Sequence, residues 1–179
     1  MKYIIDTSSL ISLARNFLVF DSENILYDFF EKKFVSKEFI LIDKVYIECD
    51  RTAKGLVLDK MQFLKLKENI HKTDEILPTP KFFNQLDSQF INGRAKASLE
   101  SAEYQALKNI FLESADCKLI LMANQNQDFT IVTEETKSNN DGKGFKKIPA
   151  ICEILKIPVF TFPELLHQYS KEVSIKYSK

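Results

Sequence analysis

Short apolar runs that stop at polar residues recur along this chain and alternate with segments of helical spacing. The runs are too short for buried helices, but they suit strands that are covered on both faces. They predict strands at residues 3–5, 39–42, 129–133 and 159–162. The first run stops abruptly at Asp6, which is followed by three hydroxyl residues. A strand therefore passes directly into a helix at this acid.

Between these strands, apolar residues recur at the spacing of amphipathic helices. They predict helices that begin near residues 9, 25, 43, 58, 82, 103, 114, 149 and 164, with Asp43 as the cap of its helix. Strands that alternate with helices favour an α/β fold, with a mainly parallel central sheet of four to five strands and helices on both faces. We expect one domain over residues 1–170 and a charged tail at residues 171–179.

Composition narrows the class of protein. The 179 residues are 45% apolar and 28% charged, an ordinary globular mixture, and 25 basic residues balance 25 acidic ones. This balance excludes a bulk polycation but allows a local basic patch. No apolar run approaches the ~20 residues of a membrane span, and Asp6 interrupts any signal peptide. With three widely spaced cysteines, which are typical of reduced thiols, these features predict a cytoplasmic protein without a membrane partner.

Several acids share one kind of location, at the end of a predicted strand or early in the next helix. Asp6 ends the first strand, Glu48 lies one turn into the helix after the second, and Asp116 lies in the first turn of its helix. Glu134 and Glu135 follow the strand at residues 129–133. In a doubly wound sheet these places lie along one edge, so the carboxylates are positioned to meet there.

Each acid also has a structural explanation, and the sequence leaves both interpretations open. Asp6 is well placed to cap the following helix, and Asp116 gains about 0.3–1 kcal/mol from the helix dipole alone. Glu134 and Glu135 suit a solvated strand end. Glu48 is the hardest to explain structurally, because its spacing from the apolar residues of its helix turns it toward the core.

The segments around these acids resemble the four motifs of PIN domains. The similar segments are Lys2–Ile11 (KYIIDTSSLI), Val45–Glu48 (VYIE), Ala115–Ile120 (ADCKLI) with Ala123, and Ile131–Glu135 (IVTEE). The resemblance extends from residue 1 to about residue 167, whereas the segment at residues 51–98, expected to be helical, carries no recognised motif. The end of the chain looks closest to a prokaryotic branch of PIN-like proteins of unassigned function.

PIN domains are mostly metal-dependent ribonucleases, and many are toxins paired with an antitoxin. The resemblance therefore implies an endoribonuclease that cleaves single-stranded RNA, with an antitoxin protein and a homodimer as candidate partners. This sequence departs from the PIN pattern at two positions. Glu135 is one methylene longer than the usual aspartate and has Glu134 as a rival, and Ser8 stands where many members have asparagine.

Converging carboxylates need protons or a cation, because two of them about 4 Å apart repel by roughly 4 kcal/mol at an effective dielectric of about 20. Oxygen ligands favour Mg²⁺ or Mn²⁺ over zinc. By the resemblance, the metal ligands and catalytic residues are Asp6, Glu48, Asp116 and Glu135, of which the two aspartates are the principal ligands. The hydroxyl groups expected to orient these carboxylates are those of Thr7, Ser8 and Thr133.

A polar loop at residues 137–147 follows directly on these acids and is expected to guide RNA toward them. It contains Phe145, whose ring we expect to stack on a base. Its lysines, which would bind phosphates, are Lys137, Lys143, Lys146 and Lys147. The alternative interpretation is a solvated loop whose lysines only aid solubility.

Two other functions remain open from the sequence. A catalytically weak or inactive PIN-like domain would bind RNA or a partner protein, with Glu135 marking a decayed site. A phosphatase of the haloacid dehalogenase type also begins with a strand that ends on aspartate, but it requires a second aspartate where Ser8 stands. The glycines form no phosphate-binding signature. Cys117 is expected to be a buried helix thiol rather than a nucleophile.

Overall fold

The centre of the molecule is a single parallel sheet of five strands in the order β3-β2-β1-β4-β5. The computed structural model describes residues 1–137 and 144–173. Its strands are β1 (Lys2–Ile5), β2 (Phe39–Ile42), β3 (Ile70–His71), β4 (Phe129–Val132) and β5 (Val159–Phe160). The predicted α/β fold with a parallel sheet of four to five strands is thereby confirmed.

Helices flank this sheet and join its strands. In the described residues the α-helices are α1 (Thr7–Ser12), α2 (Ile25–Val35), α3 (Asp43–Arg51), α4 (Leu56–Lys60), α5 (Pro80–Gln85), α6 (Gly93–Ser98), α7 (Ser101–Leu112), α8 (Ala115–Gln125), α9 (Ile148–Leu155) and α10 (Phe162–Gln168). Shorter helical turns lie at Leu13–Phe17, Leu18–Phe20, Thr52–Gly55, Gln62–Lys65, Lys67–Asn69 and Leu86–Phe90. None of the helices described is both long enough and apolar enough to cross a membrane.

The sheet extends from β1 on both sides, which creates a switch point between β1 and β4. β1 pairs with β2 on one side, where Tyr3 lies opposite Phe39, and with β4 on the other, where Ile5 lies opposite Val132. The sheet then grows outward to β3 on the first side and to β5 on the second. Open α/β sheets bind their ligands at the carboxyl ends of the strands that flank such a switch point. The ends of β1 and β4 are therefore the first place to look for a site.

One hydrophobic core runs through the molecule, from Tyr3 to Tyr169. Phenylalanine rings fill much of it, since this chain has 15 phenylalanines. The segment at residues 51–98, which carries no recognised motif, belongs to this core rather than to a separate unit. It contributes the buried side chains of Val57, Leu58, Met61, Phe63, Leu64, Phe82, Leu86 and Phe90.

A backbone reversal separates α3 from α4. Ala53, Lys54 and Gly55 adopt positive φ angles of 53°, 55° and 75° in succession. Residues other than glycine are disfavoured in this left-handed region because Cβ crowds the backbone. The helix therefore breaks completely here, after which Val57 and Leu58 return to the core.

Two of the differences from the predicted element boundaries follow from hydrogen bonds of side chains. Asp43 is the first residue of α3 rather than its cap, and its carboxylate accepts a hydrogen bond of 2.6 Å from the hydroxyl of Thr73 just after β3. The last strand is shorter than predicted, because the Thr161 hydroxyl accepts from the backbone N–H of Glu164 and begins α10. The Asp43 carboxylate also accepts from the backbone N–H of Lys44 at 2.8 Å, so in both cases a side chain satisfies a free N–H group where the helix begins.

Candidate functional site

Asp6 is the buried centre of the site. It follows β1, and only 4% of its surface is exposed. Its Oδ1 accepts a hydrogen bond of 2.7 Å from the backbone N–H of Thr7, so it does cap α1. Its Oδ2 accepts from the hydroxyls of Ser8 at 2.6 Å and Thr133 at 2.8 Å. These donors fix the carboxylate and leave one lone pair on Oδ1 for a further partner.

Glu48 lies beside Asp6 and is held by the same segment. The Thr7 hydroxyl donates to Glu48 Oε2 at 2.7 Å, which ties α3 to the start of α1. Burial raises the pKa of Glu48 above its usual value, and repulsion by Asp6 and by Glu135 raises it further, against the opposing effect of the Thr7 hydrogen bond. Within the described residues, Glu48 Oε1 accepts no hydrogen bond. Glu48 Oε1 therefore keeps its lone pairs available to a cation.

This raised pKa predicts a pH-dependent effect of Glu48→Gln on stability in metal-free buffer. An acid whose pKa is higher in the folded state stabilises the fold only while it is protonated. That contribution is lost as the pH rises above the unfolded value of 4.5 and through the folded-state pKa. The unfolding free energy of the variant minus that of the wild type should therefore increase from pH 4.5 to neutrality.

Urea denaturation at a series of pH values measures this difference. The exposed Glu75 supplies the matched control, because Glu75→Gln removes the same charge away from the site and should give a flat difference. A flat or falling difference for Glu48→Gln would show that burial and the neighbouring acids do not raise the pKa of Glu48 in the folded protein.

Glu134 and Glu135 turn to different helices. Side chains of an extended segment alternate, so consecutive acids are expected to diverge. The exposed Glu134 accepts a hydrogen bond of 2.6 Å from the backbone N–H of Phe162 at the start of α10. The half-buried Glu135 accepts one of 3.1 Å from Ile148 N–H at the start of α9, and it is the one of the two that raises the pKa of Glu48. Glu135 therefore borders the acidic pair, whereas Glu134 caps α10.

The backbone of this segment is tied to the same hydroxyl groups. Glu134 N–H donates to Ser8 Oγ at 2.9 Å, and Glu135 N–H donates to Thr133 Oγ1 at 3.1 Å. The two hydroxyls thus accept from the end of β4 while they donate to Asp6. This arrangement positions Asp6 and the end of β4 relative to each other, which is the orienting role predicted for the hydroxyls of Ser8 and Thr133.

Asp116 is half-buried in the first turn of α8. Three residues join α8 to β4, against which it packs, so the helix runs back antiparallel to the strand. Its first turn therefore lies toward the carboxyl edge of the sheet. α8 also packs against α3, the helix of Glu48. Asp116 is thus on the expected side of the molecule.

The donor atoms suit a hydrated Mg²⁺ or Mn²⁺ ion. In residues 1–137 and 144–173, no three acidic, histidine or cysteine side chains lie close enough to hold a metal ion between them. A closed cage of four carboxylates is therefore not preformed. Mg²⁺ usually keeps several waters and binds through one or two carboxylates. Asp6 Oδ1 and Glu48 Oε1 both retain lone pairs, so these two residues fit that mode of binding.

The described residues include only part of the predicted RNA-guiding loop. Lys143 lies outside them, and Lys137 forms an exposed ion pair of 2.9 Å with Glu153. The prediction that Phe145 stacks on a base is wrong, because its ring is 8% exposed and stacks on Phe111 with centroids 4.3 Å apart. The half-buried Lys146 and Lys147 lead into α9, and Lys146 N–H donates to the carbonyl of Phe90.

All three cysteines are structural. Cys49, Cys117 and Cys152 are buried and free, and burial raises the pKa of each thiol to about 12. A thiolate is the nucleophilic form of cysteine, and a pKa this high suppresses it at neutral pH. The prediction that Cys117 is a buried helix thiol is therefore confirmed.

A cavity of about 470 Å³, which the sequence did not predict, adjoins the acidic site. Its lining consists of Thr133, Glu135, Thr136, Lys137, Pro149, Glu153, Ile157, Val159, Phe160, Thr161 and Glu164. No motif marks these positions, because they come from the ends of β4 and β5 and from two separate helices. One sequence feature that could have indicated part of the cavity is the capping box formed by Thr161 and Glu164, which places Glu164 in the first turn of α10.

Comparison with known proteins places the chain in a family without assigning an activity. No significant match to a curated protein or to a solved structure was found. Residues 3–173 match the family model described as a domain of unknown function, DUF4411. Because this match covers almost the whole sequence, the chain belongs to the DUF4411 family.

Proposed function

We propose that this protein is a Mg²⁺- or Mn²⁺-dependent endoribonuclease that cleaves phosphodiester bonds in single-stranded RNA. The observation that carries the proposal is the pair formed by Asp6 and Glu48 at the switch point of the sheet. Each of these carboxylates is held in place by hydroxyl or N–H donors, while Asp6 Oδ1 keeps one lone pair and Glu48 keeps Oε1 available. Together with the resemblance to PIN domains, this pairing supports metal-assisted cleavage over the other candidate chemistries.

The residues of the chain divide into ligands and groups that position them. Asp6 and Asp116 would be the principal ligands, Glu48 would take a second position, and Glu135 would complete the set through Oε1. A bound divalent cation supplies activation of the attacking water and stabilisation of the leaving oxygen. Thr7 holds Glu48 in place, while the Ser8 and Thr133 hydroxyls hold Asp6. Such positioning groups commonly contribute ten- to a hundred-fold to affinity or activity.

RNA is the proposed substrate partner, and positive charge is needed to bring phosphates to an acidic site. The lysines that we propose for this role are Lys137, Lys143, Lys146 and Lys147. An antitoxin protein and a second copy of the chain are further proposed partners, which follow from the PIN resemblance alone. A small DNA-binding protein encoded directly upstream would support the toxin assignment.

The proposal predicts that the purified protein cleaves single-stranded RNA slowly and only in the presence of Mg²⁺ or Mn²⁺. Chelation should stop cleavage, and addition of either cation in excess should restore it. Cleavage is followed by gel electrophoresis of an end-labelled oligonucleotide. Equal rates with and without chelator would refute the proposed mechanism.

The two neighbouring glutamates provide a matched pair for the same assay. Glu135→Gln should slow cleavage, because Glu135 borders the acidic pair. Glu134→Gln should leave the rate unchanged at temperatures where the variant is folded, since Glu134 caps α10. The opposite outcome would assign the fourth acid to Glu134.

A binding module without catalysis is the second candidate function. It is favoured by one observation, namely that both glutamates after β4 satisfy helix N–H groups. In that case the wild-type protein would retain RNA or partner-protein binding under chelation and would cleave no RNA with either cation.

A further inference from the structure

Most of the residues that line the cavity beside the acidic site have no role in the cleavage proposed above. Its volume of about 470 Å³ lies within the ~300–1,000 Å³ typical of small-ligand sites. Thr133 and Glu135 line it, so it is continuous with the candidate site. Ile157 and Val159 supply an apolar wall, whereas the side chain of Phe160 turns to the opposite face of the sheet, toward Tyr3. An apolar wall with a few polar groups beside it is the usual arrangement of a small-ligand site.

Carboxylate oxygens dominate the polar rim. Glu153 Oε1 pairs with Lys137 Nζ at 2.9 Å, and both side chains are more than half exposed. Glu164 Oε2 is held by the N–H of Thr161 at 2.7 Å and by its hydroxyl at 2.8 Å. These hydrogen bonds lower the pKa of Glu164, so its carboxylate is ionised at neutral pH. In the described part of the chain, Glu153 Oε2 and Glu164 Oε1 accept no hydrogen bond.

This rim fits the hydrogen-bonding edge of guanine better than that of the other bases. Guanine presents the acceptor O6 beside two donors, N1–H and the N2 amino group. Lys137 can donate to O6, whereas ionised Glu153 and Glu164 only accept. Adenine and cytosine each place an unprotonated ring nitrogen beside a single amino group, and uracil places N3–H between two carbonyls. Each would set a lone pair against a carboxylate.

We propose that this cavity binds a guanine base of the RNA, with its Watson–Crick edge toward Lys137, Glu153 and Glu164 and its ring against Ile157 and Val159. The inference rests on the proposed function, which it deepens by naming a base preference next to the cleaved bond. An arginine side chain of a protein partner suits the cavity less well. Its guanidinium would face Lys137, a like charge, and would offer no acceptor to it.

Nucleotide binding under chelation tests this inference without any cleavage. The dissociation constants of GMP, AMP, CMP and UMP, together with that of arginine methyl ester, are measured by calorimetry on the full chain. GMP should bind roughly ten-fold more tightly than the other nucleotides, as expected for a specific base contact. Glu153→Gln/Glu164→Gln should remove that preference, and glutamine preserves the capping box at residue 164. Glu75→Gln is the control and should retain it.

The inference is overturned if the four nucleotides bind equally, or if the double variant matches Glu75→Gln. Tighter binding of arginine methyl ester than of GMP would also overturn it and would indicate a protein ligand. Because no bond is cleaved in this assay, a preference for GMP without RNA cleavage by the metal-loaded protein refutes only the proposed function. Cleavage without any preference for GMP refutes only the guanine site.

Discussion

Asp6→Asn should abolish RNA cleavage while the fold is retained. A metal ion contributes several kcal/mol to stabilisation of the transition state. Losing about 4 kcal/mol corresponds to roughly a thousand-fold loss of rate. The asparagine oxygen can still accept from Thr7 N–H, and the hydroxyls of Ser8 and Thr133 can rotate to accept from its amide. The initial rate of cleavage with saturating Mg²⁺ measures the effect.

The matched control is Asp74→Asn, which removes the same charge from an exposed residue outside the site. It should cleave RNA at the wild-type rate. Circular dichroism and the urea midpoint establish that Asp6→Asn is folded at the assay temperature. A folded Asp6→Asn variant that keeps more than about a tenth of the wild-type rate would remove Asp6 from the proposed mechanism.

Phe30→Ala should cost about 3–5 kcal/mol of stability, as truncation of a fully buried phenylalanine usually does. Phe30 has no exposed surface and joins α2 to the sheet and to α10. Its ring centroid lies 5.4 Å from that of Phe39 on β2 and 5.6 Å from that of Phe162 at the start of α10. Since domains are stable by only about 5–15 kcal/mol, the variant should be close to unfolding.

Urea denaturation measures the loss, and Phe20→Ala is its control. Phe20 is 84% exposed, so the same truncation there should change stability by no more than about 0.5 kcal/mol. Similar effects at the two positions would contradict the packing described for α2.

The positions of Asp6, Glu48 and Glu135 could be predicted because they follow from strand geometry. In a parallel sheet every strand ends at the same edge, so acids that follow strands are brought together whatever separates them in sequence. The hydroxyls of Thr7 and Ser8 were also predictable, because they adjoin Asp6 in the chain. Sequence alone therefore locates the site to within one edge of the sheet.

Other features depend on contacts that no local pattern encodes. β3 has two residues, Ile70 and His71, which is too short for a recognisable alternation. Phe145 looked available for RNA in a lysine-rich loop, yet it pairs with Phe111 from a distant helix. The cavity wall at Val159 exists only because β5 and two helices converge there. Burial, unlike helical or strand spacing, is decided by the whole fold.

The most direct test of the central claim is the position of Mn²⁺ in crystals of the wild-type protein soaked with that ion. Anomalous scattering locates Mn²⁺ independently of any assumption about ligands. We predict a peak within direct coordination distance of Asp6 Oδ1, beside Glu48 Oε1, that is lost in Asp6→Asn crystals. A well-occupied peak elsewhere, with none at Asp6 and Glu48, would contradict the proposal that these carboxylates form a metal-dependent nuclease site.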